Sequence, residues 1–305
     1  MDVKTPPSAV GESAIALAPS RFADYLALTK PRIGLLVMLC AAVGFVVGTG
    51  GLAATGVLIH VVLGTAILAA GGAALNQYRE REFDALMQRT DDRPLPSGRL
   101  FPWEALLLGL SLTIGGSVYL AATVNPLTMV LGLSSAVLYV LVYTPMKRTT
   151  PWCIFVGAVA GAVPPVMGFT AATGRLTWEA AALFGILFAW QLPHFLSIAW
   201  IYRDDYDRAG YAMSPLVGRE GGRVIRRVFM TSVFLAAVTL LPAVWGMGGL
   251  LYLVGASSVC ALMLLTARRW RGDDLTTYTR RVFGVSLAYL PAILIVLALC
   301  QVWKP

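Results

Sequence analysis

The sequence predicts an all-α polytopic membrane protein with nine transmembrane helices. Of the 305 residues, 57% are hydrophobic and only 13% are charged, and the mean hydropathy is +0.72. A soluble domain would carry about 25% charged residues. The apolar residues come in runs of about 20, the length that a helix needs to cross a bilayer. The runs lack the alternation of a membrane β-barrel, which argues against strands.

The nine predicted spans cover approximately residues 33–51, 55–75, 105–123, 126–144, 152–171, 177–199, 225–245, 247–266 and 283–303. Residues 1–24 are mixed in character and are predicted to form a flexible cytoplasmic tail, whereas 25–305 form a single membrane domain. The first long apolar run begins only after Arg32, too late for a signal peptide, so we expect it to be a permanent span. Small residues such as those at 69–74 predict close helix packing.

The Lys and Arg residues predict the orientation. All but two of the 24 precede the first span, lie after the second, fourth, sixth or eighth span, or begin the seventh. Only Arg175 and Lys304 fall on the other side. The positive-inside rule then places the N-terminus in the cytoplasm and the C-terminus outside. The net charge of +8 is therefore a topology signal and does not indicate nucleic-acid binding. The absence of an Arg-rich amphipathic presequence favours a bacterial inner membrane, with a periplasmic C-terminus.

An acidic cluster at the end of the second span is the first candidate site. Asn76, Glu80 and Asp84 stand four residues apart, so on a helix they share one face. Three oxygen-bearing side chains suit a hard cation such as Mg²⁺, which is bound through a few carboxylates together with substrate phosphates. The same spacing also fits a solvated helix end with Glu–Arg pairs, and spacing alone leaves both interpretations open.

A second acidic cluster, formed by Asp204, Asp205 and Asp207, follows the sixth span at the matching position. Two such clusters that face each other could hold two Mg²⁺ ions and clamp a diphosphate. Acids at both positions favour this interpretation over chance surface pairing.

Basic residues lie between the two acidic clusters in the sequence. Arg89 and Arg93 belong to a loop rich in Pro and Gly, and Lys147 follows the fourth span. Beside Mg²⁺, such side chains would neutralise a diphosphate leaving group. For Arg99 and Arg148, taken alone, membrane anchoring is the better explanation.

His194 lies inside the sixth span, about ten residues before Asp204 and so roughly 15 Å away from it along a helix. Polar residues within a membrane are costly and usually face the interior of a bundle. We therefore expect His194 to act near an apolar co-substrate. The preceding Pro193 could bend the helix.

These residues resemble the UbiA superfamily of intramembrane prenyltransferases, and within it the heme-farnesylating branch. The resemblance is carried by residues 28–32, 76–90 with 93–98, 143–148, and 193–195 followed by 202–210. The Asn-x3-acid-x3-Asp pattern is typical of the superfamily, whereas Pro-His-Phe and Asp-Tyr-x-x-Ala-Gly point to the heme branch. Glu80 and Glu82 stand where the family often has Asp, which keeps the carboxylate.

The resemblance implies a UbiA-type bundle with a central cavity that opens near the cytoplasmic side. It also implies transfer of the farnesyl group of farnesyl diphosphate to a vinyl group of heme b (protoheme IX), which gives heme O for heme A synthesis. Mg²⁺ held by both acidic clusters would bind the diphosphate, and Arg89, Arg93 and Lys147 would stabilise its charge. His194 would ligate or orient heme iron. A downstream heme-modifying enzyme is an implied partner, besides the lipid bilayer.

Two other functions fit parts of this pattern. The same clamp would serve a prenyltransferase whose acceptor is an aromatic acid or a quinone precursor, although the Pro-His-Phe element favours heme. A transporter or a heme-binding scaffold also places ionisable groups inside a bundle. Here, however, the acids are expected at one membrane face and not in the middle of a span.

Overall fold

The computed structural model describes residues 20–51, 54–212, 221–270, 272 and 274–302. Over these residues it contains helices and no strand. Nine of the described helical segments are long and apolar enough to cross a membrane. The chain is therefore a multi-pass α-helical membrane protein, and the predicted fold class is confirmed.

The nine spans are numbered in chain order. They are span 1 (Pro31–Thr49), span 2 (Thr55–Asp84), span 3 (Pro102–Thr123), span 4 (Pro126–Met146), span 5 (Cys153–Thr173), span 6 (Trp178–Ile201), span 7 (Gly221–Val244), span 8 (Gly249–Arg268) and span 9 (Leu275–Val302). Among the described residues, two further helices lie outside these spans, Arg21–Thr29 before span 1 and Arg203–Arg208 after span 6.

Several helices continue beyond the apolar runs that predicted them. Span 2 was predicted to end near residue 75, but its helix has 30 residues and ends at Asp84. At 1.5 Å per residue this is about 45 Å, longer than the roughly 30 Å of a hydrocarbon core. Hydropathy locates only the apolar part of a helix, whereas the hydrogen-bond ladder continues into polar sequence. The acidic face of span 2 therefore lies on a helical extension at the membrane surface.

The tail prediction does not hold for residues 21–24. Ser20 caps the helix Arg21–Thr29 through a hydrogen bond from the backbone N–H of Ala23. Asp24 is buried, and its carboxylate accepts a hydrogen bond from Arg99 Nε over 2.9 Å. A cap and a buried ion pair order this segment. The rest of the predicted tail, residues 1–19, lies outside the described residues.

Glycines allow spans 1 and 5 to touch through their backbones. A Cβ atom added at Gly44 would overlap the carbonyl oxygen of Pro165, and one at Gly168 would overlap that of Ala41. Lipid-embedded helices gain association energy from such close approaches. The same holds for spans 2 and 3, where a Cβ atom at Gly71 would meet the Thr113 side chain.

Span 6 occupies the interior of the bundle. It packs against spans 5, 7 and 9, and two thirds of its apolar window is buried inside the protein. Its helix is continuous through Pro193, the residue that could bend it. His194 therefore lies inside the protein and not at the lipid surface.

Gly168→Ala should destabilise the protein by about 1–3 kcal/mol or more, because the new methyl group forces the backbones of spans 1 and 5 apart. Gly115→Ala in span 3 is the matched control, since nothing lies within 4 Å of a Cβ atom there. Unfolding of the purified protein in detergent measures both. Equal stability of the two variants would show that the close contact contributes nothing.

Candidate active site

Span 2 presents Asn76, Glu80 and Asp84 on one buried face, as their spacing predicted. Their residues are 1%, 5% and 1% exposed, and all three lie within the helix Thr55–Asp84. The alternative of a solvated helix end is therefore wrong for these three side chains. Buried polar and charged groups need partners, because each would otherwise lose its hydration without compensation.

Two of the predicted basic residues bind the carboxylates of this first acidic cluster. Arg93 Nη1 donates to Asp84 Oδ2 over 2.6 Å, and Lys147 Nζ donates to Glu80 Oε1 over 2.7 Å. The carboxylate side chains in the two pairs are 1% and 7% exposed. The cations come from different parts of the chain, the loop after span 2 and the end of span 4, so the fold assembles them around one face.

Lys30 is a third cation at this face, and the sequence reasoning did not single it out. Its Nζ donates to Asn76 Oδ1 over 3.0 Å, and Asn76 Nδ2 donates to Thr144 Oγ1 over 3.1 Å. Lys30 joins the helix Arg21–Thr29 to span 1 and has a φ of +50°, a left-handed conformation that is strained for a residue with a side chain. The sequence feature that could have indicated this role is the position of Lys30 directly before Pro31, the first residue of span 1.

The surroundings lower the pKa of Lys30 to about 7. Burial is the largest cause and Arg93 and Lys147 add repulsion, while Glu80 and Asp84 offset part of the effect. In Lys147, burial is again the largest single cause and acts to lower the pKa, but the Glu80 carboxylate and three neighbouring tyrosines together outweigh it, so the pKa is raised well above its usual value. Arg93 and Lys147 thus balance the two carboxylates, and Lys30 adds a third basic group whose charged form an incoming anion would favour.

A π-helical turn at Leu138–Tyr143 in span 4 leads directly into Lys147. The rings of Tyr139 and Tyr143 stack with their centroids 5.6 Å apart, and Lys147 Nζ lies 4.8 Å from the Tyr143 centroid. Thr144 Oγ1 donates to the carbonyl oxygen of Tyr139 over 2.8 Å. Such turns often occur at functional sites. Hydrophobic periodicity gives no warning of one, which is why this turn was not predicted.

The second acidic cluster lies on the short helix Arg203–Arg208. Asp205 is buried, and its Oδ1 accepts a hydrogen bond from the backbone N–H of Gln88 over 3.3 Å. Because Gln88 lies just beyond span 2, this contact connects the second cluster to the end of the helix that bears the first. Asp205 also forms an ion pair with Arg208.

Asp204 and Asp207 are exposed, unlike Asp205. The Asp204 carboxylate is 3.5 Å from Arg203 Nε. In the part of the chain that the structure describes, no three His, Cys, Asp or Glu side chains converge to form a metal cage. Mg²⁺ does not require such a cage, since it usually binds through one or two carboxylates, waters and substrate phosphates. The oxygen donors fit a metal ion that arrives with a diphosphate.

Arg89 lies at the second cluster and not at the first. Its guanidinium carbon is 4.7 Å from the ring centroid of Tyr202 and 5.2 Å from that of Tyr206. Its Nη2 donates to the Tyr206 hydroxyl over 3.2 Å. The loop after span 2 thus reaches across to the residues after span 6, a contact that sequence position alone does not reveal.

Tyr211 contributes a buried hydroxyl that lies near the Glu80 carboxylate but makes no hydrogen bond of good geometry with a described residue. Lys147 Nζ lies 5.9 Å from its ring centroid. Burial raises the pKa of Tyr211 and the nearby Glu80 carboxylate adds to this, so the hydroxyl keeps its proton. A buried donor is costly unless its hydrogen bond is completed. A small shift of the Glu80 carboxylate, or an anionic oxygen of a ligand beside these basic groups, would complete it.

His194 is buried on span 6, among aromatic rings. Its imidazole stacks with Trp190 at a centroid distance of 4.8 Å and with Phe283 at 4.9 Å. Its Nδ1 lies 2.8 Å from Ser286 Oγ. The ring of Phe195, next to His194, packs in an apolar cluster with residues that include Tyr206 and Tyr211. Apolar contacts therefore connect the imidazole with the face of span 2 on which Lys30, Arg93 and Lys147 converge, here called the cationic face.

The depressed pKa of Lys30 predicts a pH-dependent stability. The unfolded chain keeps this proton up to about pH 10.4, whereas the folded protein releases it near pH 7. The contribution of Lys30 to the free energy of unfolding is therefore least favourable at pH 7 and below, and improves as the pH rises above 7. Relative to Lys30→Met, the wild type should gain about 2–3 kcal/mol between pH 7 and pH 9.

Unfolding in detergent without divalent cations or substrate measures this difference. Lys30→Arg is the matched control, because a guanidinium stays protonated in both states across this pH window, so its stability relative to Lys30→Met should not change between pH 7 and pH 9. A difference between wild type and Lys30→Met that does not change with pH would contradict the prediction.

Sequence comparisons identify relatives along most of the chain. The model of the UbiA prenyltransferase family matches residues 37–300. A protein named protoheme IX farnesyltransferase from Solibacter usitatus (strain Ellin6076) is 43% identical over 279 residues, which cover 88% of this chain and 96% of that one. One of the same name from Koribacter versatilis (strain Ellin345) is 38% identical over 309 residues, covering 98% and 99%.

Solved structures show the same fold at low sequence identity. A digeranylgeranylglyceryl phosphate synthase structure has a TM-score of 0.77 at 15% identity and covers 93% of this chain and 99% of its own. A UbiA homolog from Archaeoglobus fulgidus bound to DMAPP and Mg²⁺ has a TM-score of 0.65 at 19% identity, with coverage of 90% and 99%. Because the family model matches residues 37–300 and the relatives align along nearly the whole chain, this chain belongs to the UbiA prenyltransferase family.

Proposed function

We propose that this chain transfers the farnesyl group of farnesyl diphosphate to a vinyl group of heme b and so produces heme O. The observation that carries the proposal is the convergence of three basic side chains, Lys30, Arg93 and Lys147, on the buried first acidic cluster, with the buried hydroxyl of Tyr211 beside them. Relatives along nearly the whole chain are named protoheme IX farnesyltransferases. A downstream heme-modifying enzyme would use the product.

Asn76, Glu80 and Asp84 would hold Mg²⁺ on one side of the diphosphate, and the acids of the second cluster would hold it on the other. Bound Mg²⁺ would neutralise much of the diphosphate charge. Of the second cluster, Asp205 has the contact that reaches toward span 2, whereas Asp204 and Asp207 face solvent. The proposal keeps all three as candidate ligands.

The cations account for departure of the diphosphate. When the bond between the allylic carbon and oxygen breaks, the electron pair leaves with the diphosphate. Arg93, Lys147 and Lys30 stabilise this charge, and Arg89 adds a further cation at the second cluster. The cations that pair with carboxylates can exchange this partner for a diphosphate oxygen, since both are anionic acceptors.

The apolar residues behind the cations account for selectivity. The farnesyl carbocation forms a bond to the outer vinyl carbon of heme, and the positive charge moves to the inner vinyl carbon. Water then adds there and releases a proton, which completes a hydroxyethylfarnesyl group. Attack by water on the farnesyl carbocation before this bond forms must be excluded. The buried apolar cluster that includes Phe195, Tyr206 and Tyr211 would keep water away from the carbocation. His194, farther inside, would bind or orient the heme iron.

Purified wild-type protein given heme b, farnesyl diphosphate and Mg²⁺ should yield a farnesylated, hydrated heme that mass spectrometry detects. Asp84→Asn and Asp205→Asn should each lower the rate by about 100-fold or more, because each removes an oxygen charge from the clamp. Chelation of the metal should stop the reaction.

Glu82→Gln is the matched control, because Glu82 lies on the same helix but its side chain is 73% exposed and pairs with Arg81. Its rate should stay close to that of the wild type. Full activity of Asp84→Asn would contradict the clamp. Turnover of an aromatic acceptor in place of heme would contradict the proposed acceptor but keep the clamp.

We also propose that the cationic face lies in the cytoplasm, at a bacterial inner membrane, with the C-terminus in the periplasm. The four native cysteines are all buried, so labelling with a membrane-impermeant maleimide reports on introduced cysteines. In intact cells with a permeable outer membrane, Arg175→Cys should react, and Asp92→Cys should react only after lysis. The reverse pattern would overturn the orientation.

A further inference from the structure

Ser286 on span 9 binds the imidazole of His194 on span 6. Ser286 is fully buried, and its hydroxyl oxygen has two close neighbours in the described structure. His194 Nδ1 is 2.8 Å away, and the backbone carbonyl oxygen of Phe283 is 2.7 Å away. The hydroxyl has only one proton to share between them.

The geometry decides where that proton lies. Two oxygens 2.7 Å apart need a proton between them, and a carbonyl group has none, so the Ser286 hydroxyl donates to Phe283. The contact with His194 then needs a proton from the imidazole, which places it on Nδ1. In the described part of the chain no carboxylate pairs with His194 to offset the cost of burying an imidazolium. A neutral ring with a proton on Nδ1 has a lone pair on Nε2.

The remaining contacts hold the ring in this orientation. Trp190 stacks on the imidazole, and its indole N–H donates to the backbone carbonyl of Ser286 over 2.6 Å. Phe283, one turn before Ser286, stacks on it as well. The hydrogen-bond contact of the imidazole with the described residues is made through Nδ1. The Nε2 lone pair is therefore not used by a described protein group.

We propose that Ser286 is a positioning residue that fixes His194 in the tautomer with a proton on Nδ1 and so presents the Nε2 lone pair to the iron of the heme substrate. This inference rests on the proposed function, because heme is the ligand. An imidazole that binds a metal commonly donates its other N–H to a fixed acceptor, which sets its orientation and tautomer. Here that acceptor is a serine on the last span, 92 residues away in the sequence.

The tautomer can be observed without substrate. His60 and His194 are the two histidines of the chain, so His60→Gln leaves one imidazole for ¹⁵N nuclear magnetic resonance. The substrate-free protein should show a protonated Nδ1 and an unprotonated Nε2. Ser286→Ala in the same background should lose this preference, because Nδ1 no longer has its acceptor. A proton on Nε2 in the parent protein, or an unchanged tautomer in Ser286→Ala, would overturn the proposal.

Titration with ferric protoporphyrin tests the consequence for iron. Ser286→Ala should weaken binding about 10–100-fold, and Ser286→Thr, which keeps the hydroxyl, should restore most of it. Ser232→Ala is the matched control, because this buried serine of span 7 bonds to Val228 of its own helix and not to His194. Equal loss in Ser286→Ala and Ser232→Ala would overturn the proposal.

Metal-free protoporphyrin separates this proposal from the proposed function. It should bind the wild type and Ser286→Ala equally, because it offers no iron. If it also weakens in Ser286→Ala, Ser286 acts through packing and the inference fails even in an active enzyme. If the wild type makes no farnesylated heme, the proposed function fails, and the tautomer and the iron titration still decide the role of Ser286.

Discussion

The pairing of the buried carboxylates on span 2 with distant cations is the interaction on which the rest of the structure depends. The carboxylates of Glu80 and Asp84 are buried away from solvent, so each needs an opposite charge close by. Lys147 and Arg93 supply those charges from the end of span 4 and from the loop after span 2. Removal of one partner would leave a charge buried without compensation, which is why these segments are held together.

The local features of the sequence predicted most of this architecture. Apolar length is a property of consecutive residues, so all nine spans were found, and the four-residue spacing placed the three oxygen donors of span 2 on one face. The pairing of Arg93 and Lys147 with particular acids depends on tertiary contacts, as does the position of Arg89 at the second cluster. Lys30 and Ser286 were missed because their contacts are with residues far away in the sequence, and the π-helical turn was missed because hydrophobic periodicity does not reveal one.

Span 6 connects the two chemical regions of the molecule. Its end leads into the second acidic cluster, while its middle carries His194 against span 9. One rigid helix can thus fix the separation between a diphosphate at the membrane surface and a flat apolar acceptor inside the bundle. The glycine contact between spans 1 and 5 supports this frame from the other side, because span 5 also packs on span 6.

Lys30 combines two local penalties, a left-handed backbone and a partly desolvated ammonium group. Glycine at this position would relieve both, since it adopts positive φ freely and carries no charge. A screen for thermal stability alone would therefore favour replacement of this lysine and select against the anion site. Directed evolution of this protein toward robustness would need the diphosphate present during selection, so that ligand binding offsets the strain in the substrate-free state.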